Sequence, residues 1–181
     1  MIEQLGNLRR EDFSAAELDG LPRDGRRYEV ADGRLLVTGA QAPIHQAAVI
    51  GLMIRLKHAC PPDQLIAFGS LDFRPTRRLS LRPDLLVCRR EDAGPKYADR
   101  LLLAVEVISP STRTTDVVLK RGLYEQHAVP CYWLLDPERQ ELTILELSTD
   151  RYICQTVVQG EEPFDATTPF PIRLTPAEVM S

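Results

Sequence analysis

Hydrophobic and polar positions in this chain switch between the two-residue period of strands and the longer period of helices. Near the start, Leu8 to Leu18 is amphipathic, and Ser14 three residues ahead of Glu17 is a capping-box pattern that predicts a helix start. Tyr28-Glu29-Val30 and Arg34-Leu35-Leu36-Val37 flank Ala31-Asp32-Gly33, and the Asp-Gly pair predicts a tight hairpin. From Pro43 to about Lys57, Val49, Leu52, Met53 and Leu56 recur at helical spacing until Pro61-Pro62 stops the pattern. Leu65 to Phe68 and Leu71 to Arg74 then read as a strand or hairpin around Gly69-Ser70.

Two continuous apolar runs follow, Pro83 to Val87 and Leu101 to Ile108, the pattern of strands covered on both faces. A helix is predicted from about Thr114 to His127, with Val117, Leu123 and Tyr124 as core candidates. Beyond it, Cys131 to Leu135 reads as a buried strand closed by Asp136-Pro137. Glu141 to Leu147 and Tyr152 to Val158 read as an added antiparallel hairpin, and Pro176 to Met180 as a short helix. The helix ahead of Cys131 is long enough to cross over between parallel strands, so the order predicts an α/β (α+β) fold, a mixed central sheet flanked by helices. The length of 181 residues suits one domain spanning 1–181, with its core over about 28–147.

The chemistry begins with two acids inside the apolar runs, Asp84 and Glu106. A carboxylate in a buried strand needs a partner, because removing its charge from water costs more than its packing returns. If the two strands are neighbours, both acids can converge at one end of the sheet. Carboxylates about 4 Å apart repel by roughly 4 kcal/mol at an effective dielectric near 20, so such a pair shares a proton or binds a cation. Hard oxygen ligands favour Mg2+ or Mn2+, which can acidify a bound water and offset charge on a phosphoryl oxygen. Lys120 on the following helix is positioned to orient or deprotonate that water.

Charge narrows the partner. The net charge of −4 argues against a general nucleic-acid coat. Arg74, Arg77, Arg78, Arg82, Arg89 and Arg90 nevertheless gather around Asp84, as a phosphodiester substrate would require. They read equally well as the solvated face of an edge loop. Cys60, Cys88, Cys131 and Cys154 lack metal-site spacing and read as small buried residues. No run approaches the roughly 20 apolar residues of a membrane helix, and the first residues lack a secretory pattern, so the expectation is a cytoplasmic protein with no membrane partner.

At these residues the chain resembles a known family. Arg82-Pro83-Asp84-Leu85-Leu86-Val87, Ala104-Val105-Glu106-Val107-Ile108-Ser109-Pro110-Ser111-Thr112-Arg113, then Asp116, Lys120, Tyr124 and Val129 to Pro137 resemble the signature of the Uma-two family, a branch of the PD-(D/E)XK restriction-endonuclease-like superfamily. Tyr28 to Leu35 and the helix bearing His45 match the same pattern. The resemblance implies a magnesium-dependent nuclease acting on nucleic acid, DNA before RNA, with Asp84 and Glu106 as metal ligands and a lysine at the site. It also implies a possible homodimer, for which the strands 141–147 and 152–158 are candidate pairing surfaces.

The chain departs from the superfamily pattern at Ile108, where the lysine is expected, and Lys120 is the candidate replacement. Glu29 and His45 are possible accessory residues, and Arg82 and Arg113 candidate nucleic-acid contacts. The competing expectations are a surface Asp116–Lys120 ion pair, acids satisfied by Arg82 or Arg113, and His45 as an ordinary capping residue. Ser109, Ser111 and Thr112 read as helix caps. A nuclease-fold module that binds nucleic acid or protein without cleaving it is the alternative function.

Overall fold

The computed structural model describes residues 12–180. Strands β1 (Arg27–Ala31) and β2 (Arg34–Thr38) pair antiparallel across Asp32 and Gly33, which both take positive φ (48° and 82°), the requirement of a tight primed hairpin turn. Helix α1 (Pro43–Ala59) and strand β3 (Gln64–Ala67) follow, then β4 (Asp72–Thr76) and β5 (Leu79–Leu81). Next come β6 (Leu85–Arg89), β7 (Tyr97–Ala98) and β8 (Leu103–Val107). A π-helical segment, Thr115–Lys120, runs into α2 (Arg121–Gln126). The remainder is β9 (Cys131–Asp136), β10 (Glu141–Ser148), β11 (Arg151–Gln159), β12 (Phe164–Ala166), β13 (Ile172–Leu174) and α3 (Pro176–Val179).

The expected mixed central sheet is present, and the expected antiparallel hairpin extends it as β10 and β11. A mixed six-stranded sheet runs β11-β10-β9-β8-β6-β3, parallel only between β8 and β9 where α2 supplies the crossover. A second sheet runs β2-β1-β5-β4-β7. The start of the arginine-rich stretch lies in the second sheet, as the β4–β5 hairpin with Arg77 and Arg78 at its turn. The strand β7 and the β12–β13 pair carry too few residues to show a period in the sequence.

Side chains of the six-stranded sheet alternate between two cores. Leu85, Val87, Val105, Val107 and Trp133 pack with Val49, Leu52 and Leu56 of α1. Leu86, Ala104, Ile108 and Tyr132 pack on the other face with Leu123 and Tyr124 of α2 and with Phe73, Leu79 and Leu81 of the second sheet. Glu106 shares its parity with Ala104 and Ile108, so it lies beneath the helical segment. Helix α3 closes over α1 at Gly51, where an added Cβ would lie 1.9 Å from the Val179 carbonyl oxygen. Only a residue without a side chain permits that approach.

At the N-terminal end, a short 3-10 turn (Ala15–Gly20) has the Ser14–Glu17 capping box, with Ser14 N donating to Glu17 Oε2 at 2.9 Å. Leu8 to Glu11 of the amphipathic stretch lie outside the described residues. Cys88 and Cys131 are buried, Cys60 is half-buried, and Cys154 is exposed on β11, contrary to the expectation for all four.

Candidate active site

The register of β6 and β8 brings the two acids together. Leu85 pairs with Val105, so the preceding residue on one antiparallel strand, Asp84, falls opposite the following residue on the other, Glu106. Asp84 Oδ2 accepts from Val107 N at 2.8 Å and contacts His45 Nε2 at 3.0 Å. Its Oδ1 accepts from Arg27 Nη2 at 2.6 Å. His45 reaches it from the first turn of α1 and is buried, so it is not a surface cap.

Glu106 Oε1 accepts from Lys120 Nζ at 3.0 Å and from the Tyr124 hydroxyl at 2.9 Å. Lys120 Nζ also lies 3.2 Å from Glu29 Oε1 and 3.6 Å from Asp116 Oδ1. The Asp116–Lys120 pair therefore exists, but it is buried where a surface pair was the competing expectation. The π-helical segment turns both charges inward and leaves Val118 and Leu119 exposed, reversing the usual polarity of a covering helix. Widened turns of this kind occur at functional sites. Ile108, at the usual lysine position, is packed in the apolar cluster, and Lys120 brings its amine onto Glu106 from the next element.

Arg27 and Glu29 are two apart on β1 and share a face with the site. Glu29, whose direction the sequence left open, is fully buried there and its Oε1 also accepts from Arg82 N at 2.8 Å. Arg27, Tyr124 and Asp116 are members that residue-type reasoning did not assign to the site. The Arg27/Glu29 alternation beside a buried hairpin was the available signal for Arg27. Arg82 and Arg113 do not pair with the two central acids: Arg82 Nε donates to Asp72 Oδ1 at 2.7 Å, and Arg113 donates to Asp136. Ser109, Ser111 and Thr112 hydrogen-bond one another at the turn before the helix.

Four buried carboxylates, Glu29, Asp84, Glu106 and Asp116, thus face two permanent cations, Arg27 and Lys120, a formal charge of −2 before His45 is counted. The imbalance sets the protonation pattern. Burial pushes the Asp84 pKa up, but His45, Arg27 and the Val107 N–H outweigh it and hold it at about 2. Burial raises Glu106 well above the ordinary range; Lys120 opposes this while Asp116, Asp84 and Glu29 add to it. Asp116 is raised for the same leading reason. Burial works against the Lys120 charge, but Glu106, Glu29 and Asp116 more than reverse it, so the amine stays protonated.

Between these groups lies a cavity of about 10 Å3 lined by Arg27, Thr38, Gln41, Asp84, Glu106 and Lys120 among others, room for about one water molecule or ion. Among the described residues, no three His, Cys, Asp or Glu side chains form a ready cage for a metal. The donor chemistry nonetheless fits a hard divalent ion. Magnesium is commonly held by one or two carboxylates and keeps several waters. Each carboxylate offers about four lone-pair sites; Asp84 Oδ1 is used once, and no hydrogen bond to Glu106 Oε2 is found among the described residues. The raised Glu106 and Asp116 reflect the crowding of carboxylates, which a bound cation would relieve in place of a proton.

A mixed sheet flanked by helices, with acids from adjoining strands at its end, is the architecture of the restriction-endonuclease-like nuclease fold. The crystal structure of a "putative nuclease belonging to DUF820" from Anabaena variabilis is similar, with a TM-score of 0.68 at 17% identity, covering 93% of this chain and 97% of that one. At that identity the likeness shows the fold. The family identification rests on the sequence: the chain belongs to the Uma2 family, described as "Putative restriction endonuclease", whose pattern matches residues 11–178. No curated protein matches the chain.

Proposed function

We propose that this protein is a metal-dependent endonuclease that hydrolyses phosphodiester bonds in DNA, using Mg2+ or Mn2+ held by Asp84 and Glu106. The observation that carries the reading is the placement of those two acids across one strand pair with the Lys120 amine 3.0 Å from Glu106. A divalent ion there supplies an acidified water and neutralises developing phosphoryl charge. Lys120, whose amine Glu106, Glu29 and Asp116 hold protonated, would donate hydrogen bonds that orient the nucleophile. Tyr124 fixes the Glu106 carboxylate from the same oxygen, and Val107 N with His45 fixes Asp84. Arg27 balances Asp84 and faces the cleft through which a phosphate would approach.

Among the described residues no helix is long and apolar enough to cross a membrane, and all four cysteines are free thiols; a cytoplasmic site of action accords with the latter. Cutting both strands calls for two such sites, so a homodimer belongs to this reading. Of the two strands considered as pairing surfaces, β10 lies inside the sheet and only β11 is an edge, with Ile153 and Val157 exposed.

Nicking of supercoiled plasmid with Mg2+ and with chelator tests the assignment. Wild type should nick only with the metal, and Glu106→Gln should lose the activity while keeping its circular dichroism spectrum. Equal nicking by the two proteins would refute the role of Glu106. Metal-independent DNA binding without nicking by wild type would favour the non-cleaving module instead.

A further inference from the structure

A cleft of about 440 Å3 opens beside the acidic site, sharing Arg27, Gln41 and Asp84 with the small cavity. Its walls come from five parts of the fold: the approach to β1, the loop between β2 and α1, the first two turns of α1, the turn after β3, and the connection between β5 and β6. Two features distinguish it from an ordinary surface depression. Phe68 is 51% exposed and Ile50 is 50% exposed, and both line it, so apolar area is held open to water where none of the described residues covers it. Arg26, Arg27 and Arg82 also line it; each pairs with a carboxylate (Asp24, Asp84 and Asp72), but a guanidinium carries five N–H donors, so each can still donate to a phosphate.

We propose that this cleft binds one unpaired nucleotide of the nucleic-acid strand: its base against Phe68 and Ile50, its edge toward Gln41 and Gln46, and its phosphates toward the arginines. The volume falls in the range of small-ligand sites. The chemistry is that of single-strand recognition, where a basic groove follows the backbone and an aromatic ring receives a base face. A base inside a duplex is already stacked and would have to be extruded to reach Phe68, which costs unpairing energy. The cleft therefore selects single-stranded, flapped or mismatched positions, and the phosphate next to the bound base is delivered to Asp84. This specificity rests on the nuclease reading for its catalytic consequence, but the binding itself does not.

Binding to metal-free protein, followed by the anisotropy of a fluorescent oligonucleotide, separates the two. Wild type should bind a single-stranded oligonucleotide, DNA or RNA, more tightly than the matching duplex, and a 2-aminopurine base in it should be quenched on binding. Phe68→Ala should weaken single-strand binding about tenfold and leave duplex binding unchanged, whereas Phe68→Trp should restore it. Ile50→Ala provides a second, smaller loss. Equal single-strand affinity in wild type and Phe68→Ala, tighter binding of duplex, or no binding of either would overturn the proposal. Phe68-dependent single-strand binding by a protein that cleaves nothing would remove the nuclease reading and leave the cleft assignment standing; cleavage that Phe68→Ala does not impair on any substrate would do the reverse.

Discussion

Replacing Lys120 with methionine removes a single positive charge from beneath the helical segment, and three carboxylates feel the loss. Glu106, Glu29 and Asp116 lie 3.0, 3.2 and 3.6 Å from the amine, and all are buried. Taking one partner from a buried ion pair typically costs about 3 to 5 kcal/mol, because the remaining charge is neither solvated nor neutralised. In a protein of this size each kcal/mol lowers Tm by about 2 to 4 °C, so Lys120→Met should melt roughly 6 to 20 °C below wild type. The deficit should also depend on pH. Glu106 and Asp116 have pKa values raised above 4.5 and 3.8 in the folded protein. The native state therefore binds more protons than the unfolded state above those values, and stability falls as pH rises through that window. Without Lys120 both acids are raised further, so the window widens upward. Urea unfolding of both proteins at pH 5 and pH 8 measures this: the difference should be larger at pH 8. A loss below about 1 kcal/mol that is equal at both pH values would show that Lys120 does not neutralise this cluster.

Glu106→Gln should lose plasmid nicking yet unfold within about 1 kcal/mol of wild type, since the amide oxygen still accepts from Tyr124 and Lys120 while one of four carboxylates is removed. Asp84→Asn should lose Mn2+ binding measured by calorimetry. It should also alter acid unfolding: Asp84 drops from 3.8 to about 2 on folding, contributing roughly 2 to 3 kcal/mol that is present above pH 3.8 and lost as pH falls toward 2, and a circular dichroism titration of the variant should lack that component. Gly51→Ala should lower the stability measured by urea unfolding by about 1 to 3 kcal/mol, because its methyl group meets the Val179 carbonyl; an unchanged midpoint would mean α3 does not dock there.

Several parts of the site are legible in the order of residues. Asp84 and Glu106 stand out because each interrupts an apolar run, and an isolated acid in such a run needs a partner whatever the fold. The helical spacing of Val49, Leu52 and Leu56 is equally readable, since one face of α1 must meet the sheet. Arg27 gives a weaker sign: only its two-residue spacing from Glu29 points to the site, and its pairing with Asp84 spans 57 positions. The π-helical turn at Thr115–Lys120 is also hidden, because its residues fit an ordinary helix by propensity and only the demand to turn Asp116 and Lys120 inward widens it.

The amino-acid sequence by itself determined most of the longer strands and helices, which of their faces are apolar, and that two acids must be buried. Those properties follow from local periodicity and from the cost of removing charge from water, which act wherever the segments end up. Tertiary structure alone decided that Asp84 falls opposite Glu106, that the Lys120 amine reaches Glu106, and that four carboxylates share two permanent cations. Strand register and helix placement set those distances, and electrostatic coupling exists only once groups far apart in the chain lie within a few ångströms of each other.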